Sequence, residues 1–458
     1  MEEWKEYKLE EVCKSIADGD HMPPPKSDKG IPFVTISNIV DNRLDFCNTH
    51  FVPQSYYDGL DSKRRPHIGD TIYSVVGTFG KPVYVKEEKP FVFQRHIAIL
   101  RPDESKIVPQ FLFYSLLSPQ FYRKADVMAI GAVQRTISLT SLRNATIQLP
   151  SLKIQSKIVD MLSSIDDKIE VNRRINDNLE QQAQVLFKSW FVDFEPFRNQ
   201  PFVESELGMI PKSLATSFIS DIPHVLETGR RPKGGVGELT RGIPSVGAEH
   251  VKGMGNYDYS KTKYITEDYA SSLKTGKIKG YELLIYKDGG KPGYFIPNYS
   301  IFGEGYPYEE CYLNEHVFKL DFSNKGYNAF CYFFFKTDLV MNYLNAQGGK
   351  AAIPGINRQD IENILIYSPE NESVKEFGNI VLPMIKKILI RCKESRTLSQ
   401  LRDTLLPRLM SGELSVDGLK GQQAVSPGPL GDDRRRFHSE AEKERPGSME
   451  QISNTIAP

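Results

Sequence analysis

The chain has 458 residues, of which 40% are hydrophobic and 11% aromatic, and its 58 lysines and arginines are balanced by 58 aspartates and glutamates. That is ample for two or three ordinary cores, whereas a net charge of zero excludes binding to nucleic acid by bulk charge, so any such contact must be local or shared with a partner. No apolar run approaches the roughly 18 residues of a membrane span, and Met1-Glu2-Glu3-Trp4-Lys5 lacks the basic start and apolar stretch of a signal peptide, so the cytoplasm is the expected location.

Residues 1–150 read as a first globular unit. Ile31 to Ile36, Thr71 to Val76, Pro82 to Val85 and Phe91 to Leu100 are short strand candidates, and Pro109 to Tyr122 has the aromatic and leucine density of a buried helix that starts at a proline. An α+β domain fits this order. Residues 151–197 carry a long helix: steps of four and three from Ile158 reach Leu162, Ile165, Ile169, Asn172, Asn176, Leu179, Ala183, Leu186 and Trp190, the seam of a coiled coil. At 1.5 Å per residue this helix is about 60 Å long.

A second unit, residues 198–370, repeats the first. Strand candidates at Ile243 to Val246, Glu282 to Tyr286 and His316 to Leu320 precede a helix around Tyr327 to Leu344, in which Phe330 to Phe335 must be buried on several faces. Residues 371–416 then give a second long helix, with Phe377, Val381, Met384, Ile388, Arg391, Ser395, Leu398, Arg402, Leu405 and Leu409 each 219 positions beyond a seam residue of the first. Pro383 is expected to kink this helix or to mark its effective start, and Pro407 to bend or end it. Residues 417–458 turn to Gly, Pro, Ser and charge, a composition expected to be disordered.

The duplication extends into the globular parts. Gly30-Ile31-Pro32 returns as Gly242-Ile243-Pro244, Gln94-Arg95-His96 as Asn314-Glu315-His316, and a glycine-marked turn at Gly131 as Gly348-Gly349. Both helices interrupt the seam with polar residues at the same two steps, Asn172 and Asn176 against Arg391 and Ser395, an arrangement suited to fixing register at some cost in stability.

A globular unit alternating with a long helix, twice over, resembles the specificity subunits of type I restriction-modification systems across residues 1–416. Local strings carry the likeness: Gly30-Ile31-Pro32-Phe33-Val34, Gly69-Asp70-Thr71-Ile72 with Gly77-Thr78-Phe79-Gly80, Leu179 to Gln184 leading into Phe187-Lys188-Ser189-Trp190-Phe191, and Leu405 to Leu414. The resemblance implies two similar α+β target recognition domains separated by a pair of long antiparallel coiled-coil helices, with internal pseudo-twofold symmetry. Each domain would read one half of a bipartite, asymmetric DNA target. The helices would set the spacer and dock two methyltransferase subunits, with restriction subunits as further partners. S-adenosylmethionine, ATP and Mg would belong to those partners, with no cofactor on this chain.

The residues themselves point away from chemistry. There is no Asn-Pro-Pro-Tyr-like tetrapeptide, no glycine-rich methyl-donor loop and no phosphate loop of the Gly-x-x-x-x-Gly-Lys type. Asp103 and Glu104 are adjacent, so on a strand they would face opposite ways, and a charged turn is the better reading. Five scattered cysteines form no Cys-x-x-Cys pair. The alternatives are a coiled-coil adaptor for protein partners and, less favoured, a self-contained methyltransferase or nuclease.

Residues that match between the copies describe the frame, so sequence readers are expected where the copies differ. That criterion selects His21, Lys26, Arg43, Arg64 and Arg65 in the first unit and Arg230, Arg231, Lys233, His250 and Lys252 in the second; Lys81 after Gly80, Lys291 after Gly290 and Arg135 beside the turn before the first long helix are added as expected phosphate contacts. Arginine can pair twice with guanine, and lysine suits phosphate oxygen. Phe187 and Phe191 form an apolar end to the first helix and are expected to dock a partner subunit.

Overall fold

A computed structural model describes residues 4–19, 23–132, 134–237, 239–291, 293–349 and 354–416. The expected disordered tail, 417–458, and His21 lie outside the described residues. The chain forms two compact units, Met1–Val159 together with the segment from Leu406 onward, and Asp160–Leu405, so the division falls inside both long helices.

In the first unit a four-stranded antiparallel sheet has the order Cys13–Asp18, Ile97–Pro102, Thr71–Ser74, Pro82–Tyr84. Thr71–Ser74 is buried at every position, as a strand covered on both faces requires. A smaller sheet places Ile31–Val34 between antiparallel His50–Val52 and parallel Val92–Phe93. Lys5–Lys8 pairs with Thr146–Leu149, immediately before the long helix. Val34, Ile72, Val83, Phe91, Phe93, Ile97 and Ile99 form a core shared by the two larger sheets. The sequence expectation of one strand over Phe91 to Leu100 is corrected here: the run is two strands in different sheets, broken at Gln94-Arg95-His96.

The expected helix Pro109 to Tyr122 is also two, Pro109–Leu117 and Pro119–Met128. Pro119 sterically disfavours a helical Ser118, which is extended with ψ 143° and uses its hydroxyl to cap the amide of Phe121 at 3.2 Å. Both sequence extremes of the described chain join this unit. Gln120 Nε2 donates to the carbonyl of Pro407 at 2.8 Å, and the Trp4 indole covers Gly412, whose φ of +74° and lack of Cβ permit the approach.

The second unit repeats the topology. Its four-stranded sheet runs Val225–Thr228, Val317–Asp321, Leu283–Tyr286, Tyr299–Ile301, and its three-stranded sheet centres Ile243–Val246 between antiparallel Lys263–Ile265 and parallel Tyr312–Leu313. Thr216–Phe218 pairs with Leu365–Tyr367 before the second long helix. The helix Lys325–Phe335 is buried along Tyr327 to Phe335. It ends before Thr337, which is extended, and a separate helix Asp338–Gly348 follows instead of one continuous helix to Leu344.

The two long helices are Leu152–Phe191 and Glu372–Met410. Rising numbers on the first meet falling numbers on the second: Asp166 with Arg402 at 2.9 Å, Asn172 with Ser395 at 3.3 Å, and Asn176 with the carbonyl of Ile388 at 3.3 Å. They therefore pack antiparallel. Pro383 does not start the second helix, which runs through it; the residue is on the exposed side, where water can satisfy the carbonyl that a proline leaves unbonded. Pro407 lies in the last turn, and the helix continues to Met410.

Candidate nucleic-acid interface

The predicted readers separate by what already holds them. Arg64 is ion-paired with Asp18 at 3.7 Å. Arg65 donates to the carbonyl of Asp58 and lies 5.6 Å over the Tyr57 ring. Arg135 pairs with the Asp126 carboxylate, reaches the carbonyl of Ala129 at 3.3 Å and covers the Phe79 ring at 5.1 Å. Arg231 is paired with Glu315. These four guanidinium groups already have partners within their own units, which qualifies the expectation that they stand ready for bases.

His250 is corrected further. It is fully buried, stacked 4.3 Å from Tyr257, with Nδ1 accepting the Gly247 amide at 3.2 Å. Burial pushes its pKa below the ordinary value, against the weaker opposing pull of Glu249 and Asp258. A neutral, enclosed imidazole cannot meet DNA. By contrast, Lys26, Arg43, Lys81, Arg230, Lys233, Lys252 and Lys291 are exposed. Arg43 sits on the two-residue strand Arg43–Leu44, and Lys252 fixes its loop through its backbone, its amide donating to Ser300 Oγ and its carbonyl accepting from Asn256 Nδ2, both at 3.0 Å.

Two of these lysines, Lys81 and Lys291, lie on connections that leave a shared backbone frame. In the first unit the connection after Thr71–Ser74 is tied to the turn before the long helix: Gly77 N–H donates to the Arg135 carbonyl at 2.9 Å, and Ile137 N–H to the Val75 carbonyl at 2.8 Å. The second unit repeats both bonds, from Gly289 to Pro354 at 3.1 Å and from Ile356 to Lys287 at 2.9 Å. His96 and His316 match for a related reason. Their carbonyls accept the amides of Val75 and Lys287 at 2.9 and 3.0 Å, so the repeat preserves backbone geometry at these positions. The His316 ring additionally contacts Asp288 at 2.7 Å.

Lys81 follows Gly80, whose φ of +85° lets the backbone pass beneath the Tyr122 ring. Lys291 follows Gly290, φ +121°, in a hairpin of Gly290–Lys291 with Tyr294–Phe295. Phe295 is buried against Gly348, where a Cβ would approach within 2.7 Å of the ring-bearing side chain. Sequence reasoning missed the exposed Tyr122 and Tyr294 beside these lysines. Tyr122 falls at the end of the helix Pro109 to Tyr122 read as buried, and Tyr294, beside Gly293, lies in no candidate element.

The pair of long helices divides similarly. Ile158, Leu162, Ile165, Phe377, Val381, Ile388 and Leu409 are buried, whereas Ile169, Leu179, Leu186, Leu398 and Leu405 are partly buried. Asn172 donates to Glu394 at 2.8 Å, and Asn176 reaches Cys392 Sγ at 3.5 Å. Each leaves its buried amide oxygen without a protein donor, a cost of about 1–3 kcal/mol per group if nothing else satisfies it.

Phe187 and Phe191 are not a free docking end. Both are buried, with ring centroids 5.6 and 5.0 Å from Phe330 and each 5.5 Å from Phe377. The aromatic run Phe330 to Phe335 needs apolar partners, and the end of the first helix supplies them. Among the described residues no group of three or more His, Cys, Asp or Glu side chains is arranged to hold a metal, and no helix is long and apolar enough to cross a membrane.

The family model for the "Type I restriction modification DNA specificity domain" matches residues 1–181. The chain is 24% identical over 477 residues to the HindI type I restriction enzyme specificity subunit of Haemophilus influenzae, covering 90% of this chain and 100% of that one. It is 29% identical over 323 residues to the MjaIX specificity subunit of Methanocaldococcus jannaschii, covering 68% and 71%. Among solved structures, the S subunit of a type I restriction-modification system from M. genitalium aligns with a TM-score of 0.52 at 15% identity over 89% of this chain and 96% of that one, a likeness of fold.

Proposed function

We propose that this chain is a specificity subunit of a type I restriction-modification system, and that each α+β unit reads one half of a split, asymmetric DNA target. Its role in a type I complex is DNA specificity, and it is a non-catalytic subunit. The observation that carries the division of labour is the repeated backbone frame with different side chains mounted on it. Equal frames can approach DNA in equivalent ways, while unequal side chains select unequal sequences.

On this reading Lys26, Arg43, Lys81, Arg230, Lys233, Lys252 and Lys291 supply local positive charge toward phosphate, although the chain as a whole is neutral. The antiparallel helices hold the spacing between half-sites and carry two methyltransferase subunits, to which restriction subunits add. S-adenosylmethionine, ATP and Mg act on those partners, in the cytoplasm.

The test is to co-express the chain with its methyltransferase in a host without background methylation and to map every methylated base. The expected result is one motif with two different halves and a fixed non-specific gap. A continuous motif, a palindrome or no methylation would refute the assignment of one half-site to each unit.

A further inference from the structure

The loop frame shared by the two units carries apolar side chains that neither core uses. In the first unit Tyr122 is stacked on Phe79 at a centroid distance of 6.0 Å and lies over Gly80, yet remains 47% exposed. Val127, near the end of the same helix, is 87% exposed, and Ile130 just beyond it is 70% exposed. In the second unit the matched place is taken by the hairpin carrying Tyr294, 55% exposed, and Ile296, also exposed, with Phe295 as its buried anchor.

Leaving such side chains in water forgoes the stabilisation of burying them. Each tip is bordered by a lysine, Lys81 or Lys291, with no carboxylate partner among the described residues. In the first unit the exposed Arg95 and Arg123 add charge on the neighbouring turn and helix, also without an ion-pair partner among the described residues. Apolar tips ringed by cations fit the DNA groove, where phosphates flank base edges and thymine presents a methyl group.

We infer that these two tips are the base-reading edges: Tyr122, Val127 and Ile130 read one half-site, Tyr294 and Ile296 read the other, and Lys81 and Lys291 hold flanking phosphates. The assignment rests on the two units being DNA readers. Tyr122 and Tyr294 differ in origin, one from a helix and one from a hairpin, so the same frame presents different surfaces and selects different bases.

The experiment maps methylation by the full chain with its methyltransferase. Tyr122→Ala and Val127→Ser should each relax at least one position of one half-site, with discrimination there falling on the order of tenfold, while the other half and the gap stay unchanged. Tyr294→Ala should do the same to the opposite half. Lys81→Gln should weaken methylation at all sites alike and make its salt dependence shallower by about one.

If the unmodified chain gives no split motif, the DNA-reading assignment fails and this inference falls with it. If it gives a split motif whose letters survive all three substitutions, only this inference is overturned. Where a tyrosine variant abolishes methylation, the surface changes Val127→Ser and Ile296→Ser decide in its place, and an unaltered half-site in either overturns the assignment for that unit.

Discussion

His250 shows how a plausible reader becomes part of the frame. Its ring is buried against Tyr257, and burial lowers its pKa, so between the ordinary histidine value of about 6.5 and the lower folded value the unfolded chain binds a proton that the folded unit refuses. Stability of the second unit is therefore expected to fall as pH drops below about 6.5. His250→Gln, which keeps a polar side chain but cannot titrate, should flatten that decline in thermal melts from pH 7.5 to 5.5; an unchanged slope would reject the role. The same distinction separates the basic residues. Loop divergence selected Lys233, which is exposed, but could not reveal that Arg64 meets Asp18 or that Arg231 meets Glu315, because those partners lie far away in sequence.

The long helices were readable because their chemistry is periodic: the buried positions Ile158, Leu162, Phe377 and Val381 all lie on the four-three seam. Shorter helices were less so. A buried aromatic run looks the same in one helix or two, and the breaks at Ser118 and Thr337 depend on single residues. On the proposed function, the docking face also moves. With Phe187 and Phe191 enclosed, the exposed apolar positions repeated between the helices are Val171 and Ile390, 219 residues apart. Repeated surface suits two copies of one partner. Val171→Asp or Ile390→Asp should each release about one of two methyltransferase copies in co-purification, and the double change both. Retention of two copies by the double variant would reject this docking face.

The duplication itself was readable from the constant offset of the helices, and it extends to matched backbone bonds such as Gly77 to Arg135 and Gly289 to Pro354. Side-chain readers were harder to identify, since exposure of Tyr122 depends on how a helix, a glycine turn and Phe79 meet. If the helices set the half-site gap, inserting one heptad into both adds about 10 Å, or about three base pairs. Methylation mapping should then show a gap longer by about that amount and the same two half-sites; an unchanged gap would reject the helices as the determinant.

The contacts of Trp4 with Gly412 and of Gln120 with Pro407 tie the two extremes of the described chain into one unit. The first unit is therefore complete only once the end of the second long helix has joined it.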